Sequence, residues 1–203
     1  MTIDKGRVKR ILIIKLRGIG DVILSTGIIN NLIAEFPGAK IDYLTEKPSK
    51  AALTGIEYIN EILLLERNSN AQKLKLILGI RKRKYDLVFD FFSNPTTALI
   101  TFLSGAYYRA GFPYRGRKYA YNLFGPAERQ KYHSADLHYK TIENLGIRVN
   151  SKDLLFALSK EEKIFADNYF AEAGISGKSV IGISPSGGWN SKKCNPKKFA
   201  EFA

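Results

Sequence analysis

The chain has 203 residues, of which 45% are hydrophobic and 25% charged, with 17 Gly and 7 Pro; that composition builds a sizeable globular core and excludes disordered and fibrous classes. Thirty-two Lys and Arg against nineteen Asp and Glu leave a formal charge of +13, which attracts polyanions of every kind: nucleic acid, an anionic membrane surface or a phosphorylated substrate. No apolar stretch approaches eighteen residues, because Asp90 and Asn94-Pro95 interrupt the most hydrophobic region, so no membrane span is expected.

Residues 9–15 form a nearly continuous Ile-rich run, the pattern of a strand buried on both faces of a parallel sheet. Lys15 and Arg17 cut this run short of a signal-peptide core, and with Cys194 as the single cysteine a reducing, cytoplasmic location is expected. From Val22 onward Ile28, Ile29, Leu32, Ile33 and Phe36 recur at helical spacing, and Pro37-Gly38 stops the helix. Strands are expected at 40–45, 61–65 and 86–91. Between them lie a short helix near 48–53 and a longer one carrying Leu74, Ile77, Leu78 and Arg81, and a helix at 96–103 follows. Strands alternating with helices at this spacing predict a doubly wound α/β sheet. Residues 151–156 have no clear partner and read as the end of a first unit, 1–158. Ser159 and Glu162 then form a capping box for a helix running to Gly174. An apolar strand at 180–183, a polar loop and a helix start at Asn195-Pro196 complete a second unit, 159–203. One strand and two short helices cannot bury a core of their own, so only the opening of a second domain is expected here.

Three places carry chemistry. The turn Leu16-Arg17-Gly18-Ile19-Gly20-Asp21 sits between the first strand and first helix, at the edge where open α/β sheets bind ligands. Its glycines permit a tight turn and close approach. A dinucleotide fingerprint would require a third glycine at Ile23 and no carboxylate where the pyrophosphate should lie, so Asp21 argues against it. Asp21 either caps its helix or acts as a general base on a hydroxyl. The second place, Ser184 to Lys193, offers Ser186, Gly187, Gly188, Ser191 and Lys192 at a helix start, suited to a diphosphate or to a solvated loop. The third, residues 107–132, interleaves Arg109, Arg115, Arg117, Lys118, Arg129 and Lys131 with tyrosines and phenylalanines; it fits base stacking, an anionic sugar or lipid, or a loop with its aromatics tucked inward. His133 and His138 lack the partners of a metal or nucleophile site, so no metal and no cofactor is expected.

The run Ile11 to Lys15 with Gly18-Ile19-Gly20-Asp21-Val22, then Glu35-Phe36-Pro37-Gly38-Ala39 and Ile41-Asp42-Tyr43-Leu44, resembles the opening of glycosyltransferase family 9, the ADP-heptose:lipopolysaccharide heptosyltransferases and their relatives. The resemblance continues through Tyr85-Asp86-Leu87-Val88, Asp90, Ser93-Asn94-Pro95, Arg109-Ala110-Gly111-Phe112, His133 with Asp136, Ile181-Gly182-Ile183-Ser184-Pro185, Lys192 and Lys197-Lys198-Phe199-Ala200. It implies a GT-B architecture with an acceptor site on the first Rossmann-like domain and a nucleotide-sugar site on the second. The implied reaction is inverting and needs no metal. Asp21 matches the catalytic base, Lys15 a basic residue on the acceptor side, and Lys192 a lysine that contacts the donor phosphates. Gly27 stands where relatives often carry Pro, and Cys194-Asn195 where Trp-Pro is common.

The expected function is therefore transfer of heptose from ADP-heptose to the lipopolysaccharide inner core. Asp21 is the base, Lys15, Gly18, Gly20, Arg109, Arg115, Arg117 and Lys118 attend the acceptor, and Ser186, Gly187, Gly188, Ser191 and Lys192 attend the donor. The expected partners are the donor, the glycolipid acceptor and the anionic inner face of the membrane, with no nucleic acid, and the 203-residue chain alone is expected to be inactive. The alternatives are a nucleic-acid-binding α/β protein using residues 107–132, and a relative acting on another surface glycan.

Overall fold

Five residues, Arg10–Ile14 (β1), run through the middle of a six-stranded, all-parallel sheet. The other strands are Lys40–Thr45 (β2), Ile59–Leu64 (β3), Leu87–Asp90 (β4), Tyr108–Gly111 (β5) and the two-residue Leu123–Phe124 (β6). Their spatial order is β3-β2-β1-β4-β5-β6, the doubly wound order with its switch point between β1 and β4. The computed structural model describes residues 2–66, 68–184, 187, 193 and 195–201, and the chain divides into one unit ending at Ala157 and another starting at Leu158.

Alternation along β1 explains why it is central. Ile11 and Ile13 enter one core with Val22, Ile28, Leu32, Leu137 and Ile142, while Leu12 and Ile14 enter a second with Ile80 and Ile100. The first core packs beneath Ile19–Thr26 (α1), Ile29–Glu35 (α2) and Ser134–Asn144 (α5), the second beneath Asn70–Lys82 (α3) and Pro95–Leu103 (α4). A strand without a polar face needs helices on both sides, and each such side chain taken from water contributes about 1.5–3 kcal/mol. α3 starts on Ser69, whose hydroxyl accepts from the Gln72 amide at 3.2 Å, and α4 starts on a capping box between Asn94 and Thr97.

Several expectations are corrected. The helix expected from Val22 to Phe36 is two helices, because at the junction side chains take over backbone carbonyls: Thr26 donates to the Ile23 carbonyl at 2.8 Å and Asn31 to that of Gly27 at 3.2 Å. The 48–53 helix is a 3-10 helix, Lys47–Leu53. Residues 151–156 are not partnerless. The Leu155 amide donates to the Thr26 hydroxyl at 2.8 Å, that hydroxyl reaches the Leu155 carbonyl at 3.0 Å, and the Asn31 amide group holds Asn150 and Ser151. This strap lies along α1 and α2, and polar residues inside a helix are what tie it down. β5, β6 and α5 are additional to the expected elements.

In the second unit Lys160–Glu172 (α6) opens on the expected Ser159–Glu162 capping box, and Pro196–Ala200 (α7) follows Asn195. The strand expected at 180–183 is not formed; Ile181 is 89% exposed. A strand needs neighbours to satisfy its amides and carbonyls, and no ladder involves this unit among the described residues.

Candidate active site

The carboxyl edge of the sheet at the β1–β4 switch point collects charge. Ile14 stands in register with Asp90, so the last residues of β1 and β4 lie side by side and Lys15 follows one position beyond them. The residue after β1 is Lys15, whose amide continues the ladder to the Leu44 carbonyl and whose side chain is only 2% exposed. Burying an ammonium group is costly without opposite charge nearby. Burial accordingly pushes the Lys15 pKa down; Asp21 opposes that shift, Arg129 adds to it and Asp90 opposes it.

The chain then turns at Gly18, where φ is +81° and a Cβ would lie 3.2 Å from Asp21 Oδ2. A side chain here would meet strained backbone and the carboxylate together, so glycine is required. Gly20 differs: apart from its chain neighbours, nothing lies within 4 Å of where its Cβ would be. Asp21, in the first turn of α1, points one oxygen, Oδ2, at Lys15 Nζ, 3.8 Å away, and accepts at Oδ1 from the Ser134 hydroxyl at 3.4 Å. Its side chain is 47% exposed. No capping bond runs from the Asp21 carboxylate to the free amides of α1 among the described residues, and the N-cap position, Gly18, has no side chain to supply one. The carboxylate is held between a buried cation and a hydroxyl from α5, with half its surface open.

Asp90 closes β4, and its charge is felt at Lys15. It is fully buried and accepts from the Ser93 amide at 2.7 Å, the Phe92 amide at 3.1 Å and the Tyr121 hydroxyl at 2.8 Å. Burial raises its pKa against those hydrogen bonds. Ser93 follows at a φ of +48°, an uncommon backbone for a residue with a Cβ. Its hydroxyl donates to the Asp90 carbonyl at 2.8 Å and accepts from the Phe112 amide at 3.3 Å, tying β4 to β5. His138 of α5 packs its ring 4.5 Å from that of Phe91 and sets Nδ1 3.4 Å from the Leu24 carbonyl. Burial, reinforced by the charges of Lys15 and Arg129, pushes its pKa down to about 3, so the imidazole is neutral. His133, by contrast, caps α5 through Nδ1.

The basic aromatic segment divides its work. Arg109 spends its guanidinium on the carbonyls of Ala120 and Ala106, at 2.9 and 2.7 Å. Tyr108, Phe112 and Tyr121 are buried, whereas Tyr107, Tyr119, Phe124 and Tyr132 are exposed, so the aromatic interleaving is divided between core and surface. Arg115 and Lys118 line an open depression of about 470 Å³, and Arg117 stacks over Tyr114 at 5.0 Å with its Nε buried and without a hydrogen-bond partner among the described residues. Arg129 folds back over Phe112 at 5.5 Å, donates to the Tyr114 hydroxyl at 3.2 Å and acts on Lys15. Lys15, Gly18, Gly20 and Asp21 are thus brought together, and Asp90, Ser134, His138 and Arg129 join them from far along the chain. Ser186, Gly188, Ser191 and Lys192 lie outside the described residues; Gly187 belongs to the second unit.

The fold is shared with solved glycosyltransferases of GT-B architecture. A glycosyl transferase family 9 protein from Veillonella parvula matches with a TM-score of 0.82 over 95% of this chain and 57% of its own, at 20% identity. E. coli ADP-heptose LPS heptosyltransferase II matches with a TM-score of 0.61 over 80% of this chain and 50% of its own, at 22% identity. E. coli heptosyltransferase WaaC with ADP-2-deoxy-2-fluoro heptose matches at 0.56 over 68% and 49%, at 15% identity. At these identities the likeness is one of fold, and the chain spans about half the length of the structures it matches. No family model matches the sequence, and no curated protein matches it.

Proposed function

We propose that this chain carries the acceptor-binding half of a glycosyltransferase that moves heptose from ADP-heptose to the inner core of lipopolysaccharide, at the cytoplasmic face of the inner membrane. The observation that carries the reading is the half-open Asp21 carboxylate, fixed 3.8 Å from a buried lysine at the switch point of a sheet shared with heptosyltransferase structures. Asp21 takes the proton of an acceptor hydroxyl while that oxygen bonds to the anomeric carbon. The bond from that carbon to the diphosphate oxygen breaks, and ADP leaves with the electron pair, inverting the configuration. Lys15 orients the carboxylate through Oδ2, and Ser134 fixes Oδ1. The open space at Gly20 admits the sugar. Arg129, Arg115, Arg117 and Lys118 hold the acceptor's carboxylates and phosphates. Through the family resemblance, Ser186, Gly187, Gly188, Ser191 and Lys192 are assigned to the departing diphosphate.

The test is titration of the 203-residue chain with a lipid-free inner-core saccharide carrying anionic sugars. The expected result is salt-sensitive binding, weakened more than about tenfold by replacing Arg115, Arg117 and Lys118 together with Gln. An oligonucleotide that binds more tightly than any such saccharide overturns the reading.

A further inference from the structure

The second face of the sheet has an outward surface that the chemistry above does not use. α3 and α4 both pack on the core built by Leu12 and Ile14, and the Arg81 guanidinium joins them by donating to the Leu103 carbonyl at 3.2 Å. Each helix buries one stripe and shows an apolar one to solvent. On α3 the shown stripe centres on Leu74 and Leu78, 58% and 50% exposed; on α4 it is Leu99 and Phe102, with Pro95 a turn before. Tyr119 extends the stripe, its ring edge-on to Phe102 at 5.6 Å. An open depression of about 810 Å³ runs between α3 and edge strand β3. Leucines spaced four apart on an exposed helix face are costly to leave in water, and they have no partner among the described residues.

The charge around this stripe selects its occupant. From Asn70 to Ala127 the sequence carries ten Lys and Arg against two Asp, Asp86 and Asp90, and Asp90 is buried. α3 contains no acidic residue, and Lys75 and Lys82 border its leucines on the exposed side; Glu66 is the one carboxylate among the residues that line the depression. An exposed apolar stripe framed by lysines is the pattern of a helix lying in the boundary of an anionic bilayer, with leucines among the acyl chains and ammonium groups at the phosphates. A nucleic acid would use the cations and leave the leucines uncovered.

We infer that the α3–α4 face docks this protein on an anionic lipid bilayer. The loop carrying Arg115 and Lys118 leaves the carboxyl edge of β5 and ends at Tyr119 against Phe102, so the docked surface is continuous with the loop assigned to the acceptor. The inference names where the membrane of the proposed function lies and rests on that reading for its purpose, whereas its test does not.

The 203-residue chain is floated with vesicles of phosphatidylcholine alone and of equal parts phosphatidylcholine and phosphatidylglycerol. Binding is expected to the second and not the first, and to fall in high salt. Leu74→Gln with Leu78→Gln, and separately Lys75→Gln with Lys82→Gln, should each weaken it more than about tenfold, with thermal melts that confirm the variants fold. Lys50→Gln with Arg148→Gln removes the same charge elsewhere and should leave binding within about twofold. The vesicles hold no sugar, so Asp21→Asn should bind them as wild type does, and a failed acceptor titration leaves this result standing. Equal binding to neutral vesicles, equal loss in the charge control, insensitivity to the leucine changes, or self-association through the same leucines overturns the inference.

Discussion

Replacing Lys15 with Met should make the protein more stable and disable its site. Lys15 is buried to 1% exposure and stands at the end of a central strand, where bringing in an ammonium costs several kcal/mol after relaxation. Its pairing with Asp21 returns little of this. At 3.8 Å the attraction is about 4 kcal/mol for an effective dielectric near 20, but the Asp21 side chain is 47% exposed and screening reduces that to about 1 kcal/mol. Asp90 keeps its hydrogen bonds from Ser93, Phe92 and Tyr121 whether or not Lys15 is charged. Methionine matches the lysine stem in volume and removes the charge, so a net gain of about 1–2 kcal/mol is expected, a rise of about 2–8 °C in Tm for a chain of this size. Thermal unfolding followed by circular dichroism reads the first effect, and titration with the saccharide acceptor reads the second, a loss of binding of at least about tenfold. A Tm lowered by several degrees, or unchanged acceptor binding, would refute the reasoning and make Lys15 a structural ion-pair member instead.

Two glycines near the site should respond in opposite ways. In Gly27→Ala the new Cβ would lie 2.1 Å from the Tyr139 hydroxyl oxygen and displace that hydroxyl from the Lys152 carbonyl, a loss of about 2–3 kcal/mol in denaturant unfolding. Gly20→Ala meets no atom beyond its chain neighbours, so stability should hold or rise by about 0.5 kcal/mol, while acceptor affinity should fall if, as proposed, the sugar enters there. His138 predicts a pH dependence: its folded pKa lies below the unfolded one, so the unfolded state binds more protons between about pH 6.5 and about 3. Stability should fall by about 1.4 kcal/mol per unit as pH drops through that window and stay flat above it as far as this group is concerned. His138→Gln should remove this slope in urea titrations at stepped pH.

The sheet was legible in the sequence wherever burial is two-sided, as in Ile11 to Ile14, and the turn at Gly18 announced itself by glycine spacing. The single helix expected after it was misread because Thr26 and Asn31 look like ordinary helical polar residues; their meaning depends on Leu155 and Ser151, more than a hundred residues away. The same distance hid the site's other half. Ser134 meets Asp21 across 113 positions, and the charge of Arg129 is felt at Lys15 from a loop whose Arg129 folds over Phe112. Arg109 has the charge an acceptor site needs, yet its guanidinium is taken by the carbonyls of Ala106 and Ala120 on either side of its own strand, which composition cannot reveal. The run at 180–183 had the apolar content of a strand, but a strand is made by its neighbours as much as by its own residues.

Asp21 is proposed as the base of a sugar transfer. The measurement that tests it most directly is the steady-state rate of heptose transfer from ADP-heptose to an inner-core acceptor, compared between wild-type and Asp21→Asn forms of the full gene product. The substitution keeps the side chain's shape and the Ser134 contact while removing the proton acceptor. The expected result is a kcat lowered by about two orders of magnitude or more, with the KM for acceptor changed little and the melting curve unmoved. A variant that turns over at a near-normal rate would contradict it and leave Asp21 as a surface carboxylate paired with a buried lysine.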